Sequence, residues 1–283
     1  MPQSANEPDL QFRERQLALF RTSVLKQAKW RELQAATAGI QPRDALDLGS
    51  DNGVISHLFR ETGGRWCSAD LTEGTTSAIR RMVGERVELL AGPTLPWPDE
   101  SFDLIVVVDL MEHLEDDATL ARELARCLRP GGRLVLNLPH DKRFAILPPV
   151  RHAIGLTDKW HGHVRPGYTS TSLRNILPES LHIRHSRTYS RFFSHLLDTA
   201  LNWVYLRGSR GRVSSTAKGM VVTGDAHGVS GGGGRALRAA YPVMRAFAAL
   251  DSLLFLARGY MLLVVAEKAP GDSGTPSSSR TLR

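Results

Sequence analysis

The chain has 283 residues, 42% of them hydrophobic and 23% charged, which excludes a chain disordered throughout and allows one sizeable core. Two cysteines, Cys67 and Cys127, exclude a disulfide framework and a cysteine-cluster zinc site. A formal charge of +7 permits an anionic partner but is too small to demand nucleic acid.

Residues 1–11 hold Glu7 and Asp9 and no apolar run, so no secretory leader is expected. Residues 10–38 carry Leu17, Phe20, Val24 and Ala28 at helical spacing, and Gly39 and Pro42 stop the pattern. A strand is expected at 45–48, then a glycine turn over 49–53 and a helix at 54–62. A second strand at 66–69 ends on Asp70. A helix at 75–83, a strand at 87–91 and a strand at 102–108, apolar apart from Asp103, follow, the last as in a sheet covered on both faces. A helix at 116–128 stops at Pro130-Gly131-Gly132, and a fifth strand covers 133–138.

Strands alternating with helices at this spacing predict right-handed β-α-β units and an open, doubly wound α/β sheet with its crevice at the carboxyl ends of the strands. Residues 140–168 read as a long connection rich in His, Arg and Pro. A short helix is expected at 172–176, a strand at 182–189, a helix at 192–206, a flexible Gly/Ser/Arg loop at 207–235, an apolar helix at 236–257 and a last buried strand at 259–267. Residues 269–283 read as a disordered tail. The apolar stretch 246–266 is interrupted by Asp251, Arg258 and Gly259, so no spanning helix is expected and the cytoplasm is the default compartment.

The turn after the first strand brings backbone close to a ligand and aims amide N–H groups at it. Its spacing, Gly49-x-x-x-Gly53 with no third glycine, argues against a nicotinamide dehydrogenase. Asp70, at the end of the next strand, can accept hydrogen bonds from both hydroxyls of a ribose.

Four segments then carry a resemblance. Ala45-Leu-Asp-Leu-Gly-Ser-Asp-Asn-Gly53, Leu95-Pro-Trp-Pro-Asp-Glu-Ser-Phe-Asp103, Asp109-Leu-Met-Glu-His-Leu114 and Glu123-Leu-Ala-Arg-Cys-Leu-Arg-Pro-Gly-Gly132 resemble, in order, motifs of the class I S-adenosylmethionine-dependent methyltransferases, of the methyltransferase type 11 kind. The resemblance implies a Rossmann-like sheet of seven strands whose last strand is antiparallel, with an N-terminal helix and a helical insertion before that strand. It divides the chain into an N-terminal helical segment (1–41), a donor-binding domain (42–190), a helical cap (191–258), the last strand (259–268) and the tail (269–283). By position it implies that Asp47, Gly49, Ser50 and Gly53 form the donor turn, that Asp70 and Leu71 meet the ribose, and that Asp109 lines the methionine end. Two departures stand out: Asp51 occupies the family's usual middle glycine, and 91–94 lacks the usual acid for the adenine amine, leaving backbone groups, Thr94 or Leu95.

Methyl transfer from a sulfonium needs alignment above all, and a base only when the acceptor must lose a proton. Candidate groups for proton removal or substrate placement follow the fifth strand: His140, His161 and His163, with Tyr168 beside them. The His161/His163 spacing suits a metal pair, but no third ligand is evident, and no metal is expected. Glu112-His113 reads mainly as structure, and Trp160 as either a stacking or a packing residue. The expected acceptor is a small or lipid-linked molecule. Arg207, Arg210, Arg212, Lys218, Arg235 and Arg238 flank helices rich in Met244, Phe247, Leu250, Leu253, Leu254 and Phe255; most of that surface is expected to pack between the two helices and the sheet with the arginines solvated, and the remainder suits peripheral contact with a membrane face. RNA methylation, or donor binding with weak catalysis, are the competing readings.

Overall fold

A computed structural model describes residues 7–142, 146–157, 162–208 and 232–270 of the chain. The N-terminal pattern forms two helices, α1 (Glu7–Arg21) and α2 (Val24–Thr37), where one was expected. Ser23 breaks the run: its hydroxyl accepts from the Lys26 N–H at 3.3 Å and caps α2, while the Thr22 hydroxyl donates to the Leu19 carbonyl at 2.9 Å. Short polar side chains compete for backbone partners in this way, and that favours caps over helix interiors.

The sheet strands are β1 (Asp44–Leu48), β2 (Arg65–Asp70), β3 (Val87–Leu89), β4 (Phe102–Val108), β5 (Leu128–Pro139), β6 (Leu181–Tyr189) and β7 (Met261–Lys268). They form one seven-stranded sheet in the order β3-β2-β1-β4-β5-β7-β6. β1 to β5 are parallel, and β7 runs antiparallel to β5 and to β6. The expected α/β doubly wound sheet with an antiparallel last strand is therefore present. β5 is longer than predicted, because Arg129 to Gly132 continue the strand rather than ending a helix.

Helices α3 (Val54–Arg60), α4 (Glu73–Val83) and α5 (Asp117–Cys127) join the parallel strands. Thr72 caps α4 by accepting from the Thr75 N–H, and Asp116 caps α5 by accepting from the Thr119 N–H. One core cluster sets Leu120, Leu124 and Leu173 against Ile105, Val107 and Leu136. The other sets Leu33, Ile55 and Phe59 against Leu104, Val106 and Val135. Alternate residues of β4 thus feed opposite faces, which is why its run from Leu104 to Val108 has no polar side.

The connection after β5 contains a helix the sequence reading did not anticipate, α6 (Leu147–Ala153). Its prolines, 148 and 149, occupy the first turn, where a missing N–H costs nothing. After α7 (Ser170–Ile176) and β6 come α8 (Phe192–Gly208) and α9 (Gly232–Ala249). The Gly-rich segment 232–234, expected as loop, begins α9, and the helix stops at Ala249 rather than 257, giving way to a 3-10 segment, Leu250–Leu254. The remainder of the expected flexible loop and tail lies outside the described residues, as do His161, Trp160, Arg210, Arg212 and Lys218.

Candidate functional site

The turn after β1 is built for close approach. Gly49, Asp51 and Gly53 sit at φ 86°, 58° and 78°. At Gly53 a Cβ would lie 2.8 Å from the Ile79 Cα and 2.9 Å from Met82, so glycine is required by backbone and by space. Asp51 takes the same left-handed region without glycine's freedom, which Asp tolerates better than most residues. Its N–H donates to Asp70 Oδ2 at 3.2 Å, and Asp70 Oδ1 accepts from the Leu71 N–H at 2.7 Å. Asp70, fully buried, therefore joins the end of β2 to the turn.

Asp47 plays a different part from the one its motif position suggests. Its oxygens accept from the Ser56 hydroxyl at 2.5 Å and the Ser68 hydroxyl at 2.7 Å, and Arg60 lies 3.6 Å away. Burial holds this carboxyl above its usual range, and Arg60 and the two hydroxyls only partly offset that. Asp47 is a strut beneath the turn. Ser50 also works locally, its hydroxyl accepting from the Ser56 N–H at 2.9 Å. Leu71 packs at the edge of the first core cluster. Of the groups considered for adenine, the Leu95 N–H is committed to Glu123 Oε2 at 2.9 Å, whereas Thr94 is exposed.

Helix α2 lies across this crevice and brings residues the sequence reading missed. Lys29 pairs with the Asp109 carboxylate, at the carboxyl end of β4. Asp109 also accepts from Asn137 Nδ2 at 3.0 Å, and Asn137 Oδ1 accepts from the Tyr189 hydroxyl at 2.5 Å. One network therefore crosses the ends of β4, β5 and β6. Burial works to lower the Lys29 ammonium, but Asp109 outweighs it and holds the pKa above its ordinary value. Burial pushes Lys26 down to about 8, with Asp51 and Asp109 opposing and Lys29 adding to the drop. Asn137 left a signal, a polar residue within the apolar run Leu134 to Leu138. Nothing local marked the two lysines.

The acceptor-side histidines separate. His140 is buried, and its Nδ1 meets the Gly259 carbonyl at 2.8 Å. A carbonyl only accepts, so Nδ1 carries the proton and Nε2 is the acceptor of the neutral ring. Burial lowers this imidazole's pKa, which keeps it neutral. His163 lies with its ring 4.9 Å from that of His113, edge to face. His113 Nδ1 meets the Gly162 carbonyl at 3.0 Å, and the Val164 N–H donates to the Glu112 carbonyl at 2.9 Å, so these segments are pinned together. Ligand-type atoms of Glu112, His113 and His163 lie within 4.8 Å of one another. The absence of a third ligand was the ground for expecting no metal; the fold supplies Glu112 and His113 beside His163. Tyr168 is withdrawn from the chemistry: its buried hydroxyl donates to Asp117 Oδ2 at 2.7 Å, and burial followed by that carboxylate drives its pKa up.

This sheet order, with a left-handed turn after β1 and acids ending β2 and β4, defines a class. The family model described as a methyltransferase domain matches residues 46–136. Over that segment the chain is similar to class I S-adenosylmethionine-dependent methyltransferases. It is 37% identical over 125 residues to a demethylmenaquinone methyltransferase of Mycobacterium sp. (strain KMS), covering 42% of this chain and 53% of that protein. It is 33% identical over 105 residues to a protein named "Probable S-adenosylmethionine-dependent methyltransferase" of Mycolicibacterium smegmatis, covering 36% of this chain and 40% of that one. The chain thus spans about half the length, or less, of these curated relatives.

Among solved structures, an S-adenosylmethionine-dependent methyltransferase from Mesorhizobium loti gives a TM-score of 0.53 at 19% identity, over 85% of this chain and 98% of that one. The cyclase SpnF gives 0.56 at 16% identity, over 87% and 83%. At such identities these neighbours show the fold alone.

Proposed function

We propose that this protein transfers a methyl group from S-adenosylmethionine to a small-molecule acceptor with an amphiphilic or lipid-linked body. The observation that carries the reading is the junction of Asp70 with the 49–53 turn, where the Asp51 N–H meets the Asp70 carboxylate and Gly53 leaves no room for a Cβ. A glycine-lined cradle backed by a buried acid fits a ribose-bearing donor. When bound, S-adenosylmethionine supplies a methyl group already activated by its sulfonium.

The rest falls to the chain. Gly49 allows close backbone approach, Gly53 lets the turn pack directly on α4, and Asp70 accepts from the ribose hydroxyls. Asp109, paired with Lys29, meets the amino-acid end, with α2 closing over it. His163, set against His113 and Glu112, takes the acceptor proton, and His140 positions the acceptor at the end of β5. Alignment supplies most of the acceleration, and proton removal adds to it when the acceptor is a hydroxyl or enol. The quinone-type relative, matched over the same core, supports an acceptor of that class.

The test is donor affinity by calorimetry. Asp70→Ala should weaken S-adenosylhomocysteine binding by about 1.5–3 kcal/mol, since it removes hydrogen bonds made by a charged group. Unchanged affinity would overturn the donor assignment. Incubating the protein with methyl-labelled donor and a cell extract then assigns the acceptor class: label in the organic phase supports the proposal, and label in RNA replaces it with RNA methylation.

A further inference from the structure

The segment between α9 and β7 carries an apolar edge that the core does not use. Leu253, Phe255 and Leu256 are 70%, 72% and 87% exposed, and Ile146, before α6, is 73% exposed. Val243, on α9, faces outward as well. Isolated surface apolars are ordinary, but a run of three within four residues is not.

The edge is held rigidly. Asp251, itself buried, accepts from the Arg191 N–H at 2.7 Å and the Phe193 N–H at 2.8 Å, clamping the 3-10 segment to the start of α8. Arg191 Nε donates to the Ala257 carbonyl at 2.9 Å. Lys142 donates to the Arg258 carbonyl at 2.8 Å and lies over the Tyr260 ring at 4.3 Å, and the backbone of Leu147, next to Ile146, hydrogen-bonds the Tyr260 hydroxyl. Next along the chain, the Gly259 carbonyl receives His140, so the edge borders the acceptor end of the crevice.

Its charge has one sign. Residues 232–258 contain Arg235, Arg238, Arg245 and Arg258 against a single acid, Asp251, and that acid is spent on backbone amides. Arg245 and Arg258 are exposed. Apolar side chains flanked by arginines, in a segment whose one acid is spent on backbone amides, complement the interface of an anionic bilayer, where stems and rings enter the headgroup boundary and cations meet phosphate. No described helix is long and apolar enough to cross a membrane, so the contact is one of surface insertion.

We propose that Leu253, Phe255, Leu256 and Ile146 form a membrane-insertion edge that seats the acceptor end of the crevice on an anionic lipid surface. The lipid contact stands by itself; only the supply of an acceptor from that surface rests on the methyl-transfer reading.

The experiment is flotation of the full chain with vesicles of phosphatidylcholine alone or with phosphatidylglycerol, at low and high salt. Wild type should float with the anionic vesicles at low salt and detach as salt rises. The triple variant Leu253→Ser, Phe255→Ser, Leu256→Ser should lose at least about tenfold in vesicle affinity, since each side chain surrenders apolar burial. Its thermal midpoint and S-adenosylhomocysteine affinity should match wild type, because these side chains touch neither core nor turn. Wild type left at the bottom of the gradient at low salt overturns the proposal, as does a triple variant that floats like wild type. Self-association that the triple variant abolishes, without flotation, assigns the edge to a second copy and also overturns it. Vesicle binding without donor binding would sink the proposed methyl transfer and leave the membrane edge standing.

Discussion

His163 and His140 are both imidazoles near the ends of the parallel strands, yet their surroundings differ. His140 is buried, lowered in pKa by that burial, and tied through Nδ1 to the carbonyl of Gly259. It holds the start of β7 against the end of β5. His163 is partly exposed and leans on His113, which is itself oriented by the Gly162 carbonyl. Such support suits the proton transfer proposed for His163. His163→Gln should lower kcat by about a hundredfold, within the usual range for a general base, with S-adenosylhomocysteine affinity unchanged. Single-turnover kinetics with the identified acceptor check this, and wild-type turnover would remove His163 from the chemistry. The Glu112, His113 and His163 grouping was hidden in the sequence, because about 50 residues separate its halves. The glycine turn was open to view, because its stereochemistry is set within five residues.

At the scale of elements, the cap divides its apolar residues. The sequence groups Met244 and Phe247 with Leu253 and Phe255 and expects most of them to pack inward. The structure decides which do. Met244 and Ala248 are buried, and Phe247 meets Phe193 edge to face at 5.3 Å, so α9 packs on α8. Tyr241 donates to Gln27 Oε1 at 2.9 Å, which joins α9 to α2 as well. Beyond Ala249 the chain tightens into 3-10 geometry and the remaining apolars turn outward. Asp251 makes that change possible by capping α8 from outside the helix. Asp251→Ala should cost about 1–3 kcal/mol, because it leaves buried amide donors without their acceptor. Urea unfolding measures this, and amide exchange should rise first at 192–194. A loss below about half a kcal/mol would show that the clamp contributes little.

For the molecule as a whole, acid should weaken the fold through His195, on α8. Its ring stacks on Tyr260 with centroids 4.1 Å apart and planes 8° from parallel. Burial pushes its pKa down to about 4 from an ordinary 6.5; Asp198 opposes this, and Arg151 and Lys142 add to it. Above pH 6.5 the ring is neutral in both folded and unfolded chains. Between 6.5 and 4 the unfolded chain takes up a proton that the folded chain refuses, so stability falls with pH across that window. The loss is about 3 kcal/mol at most. Thermal melts from pH 7 to pH 4.5 should show the decline, and His195→Phe, which keeps the stack, should flatten it. An unchanged slope in that variant would place the acid sensitivity elsewhere.

What the sequence determined by itself is local. Strand and helix alternation, the caps at Thr72 and Asp116, the left-handed turn at 49–53 and the acid closing the next strand all follow from preferences a few residues long. They were sufficient for the doubly wound sheet and the donor crevice. Tertiary structure decided what distant segments do to one another. Lys29 reaches Asp109 across 80 residues, and His140 reaches Gly259 across 119. It also decided that Asp47 supports the turn from beneath, and which apolar side chains of the cap remain outside. No periodicity encodes those outcomes. They depend on sheet closure, which brings the ends of β4, β5, β6 and helix α2 to one place, and on burial, which sets the charge each group can carry there.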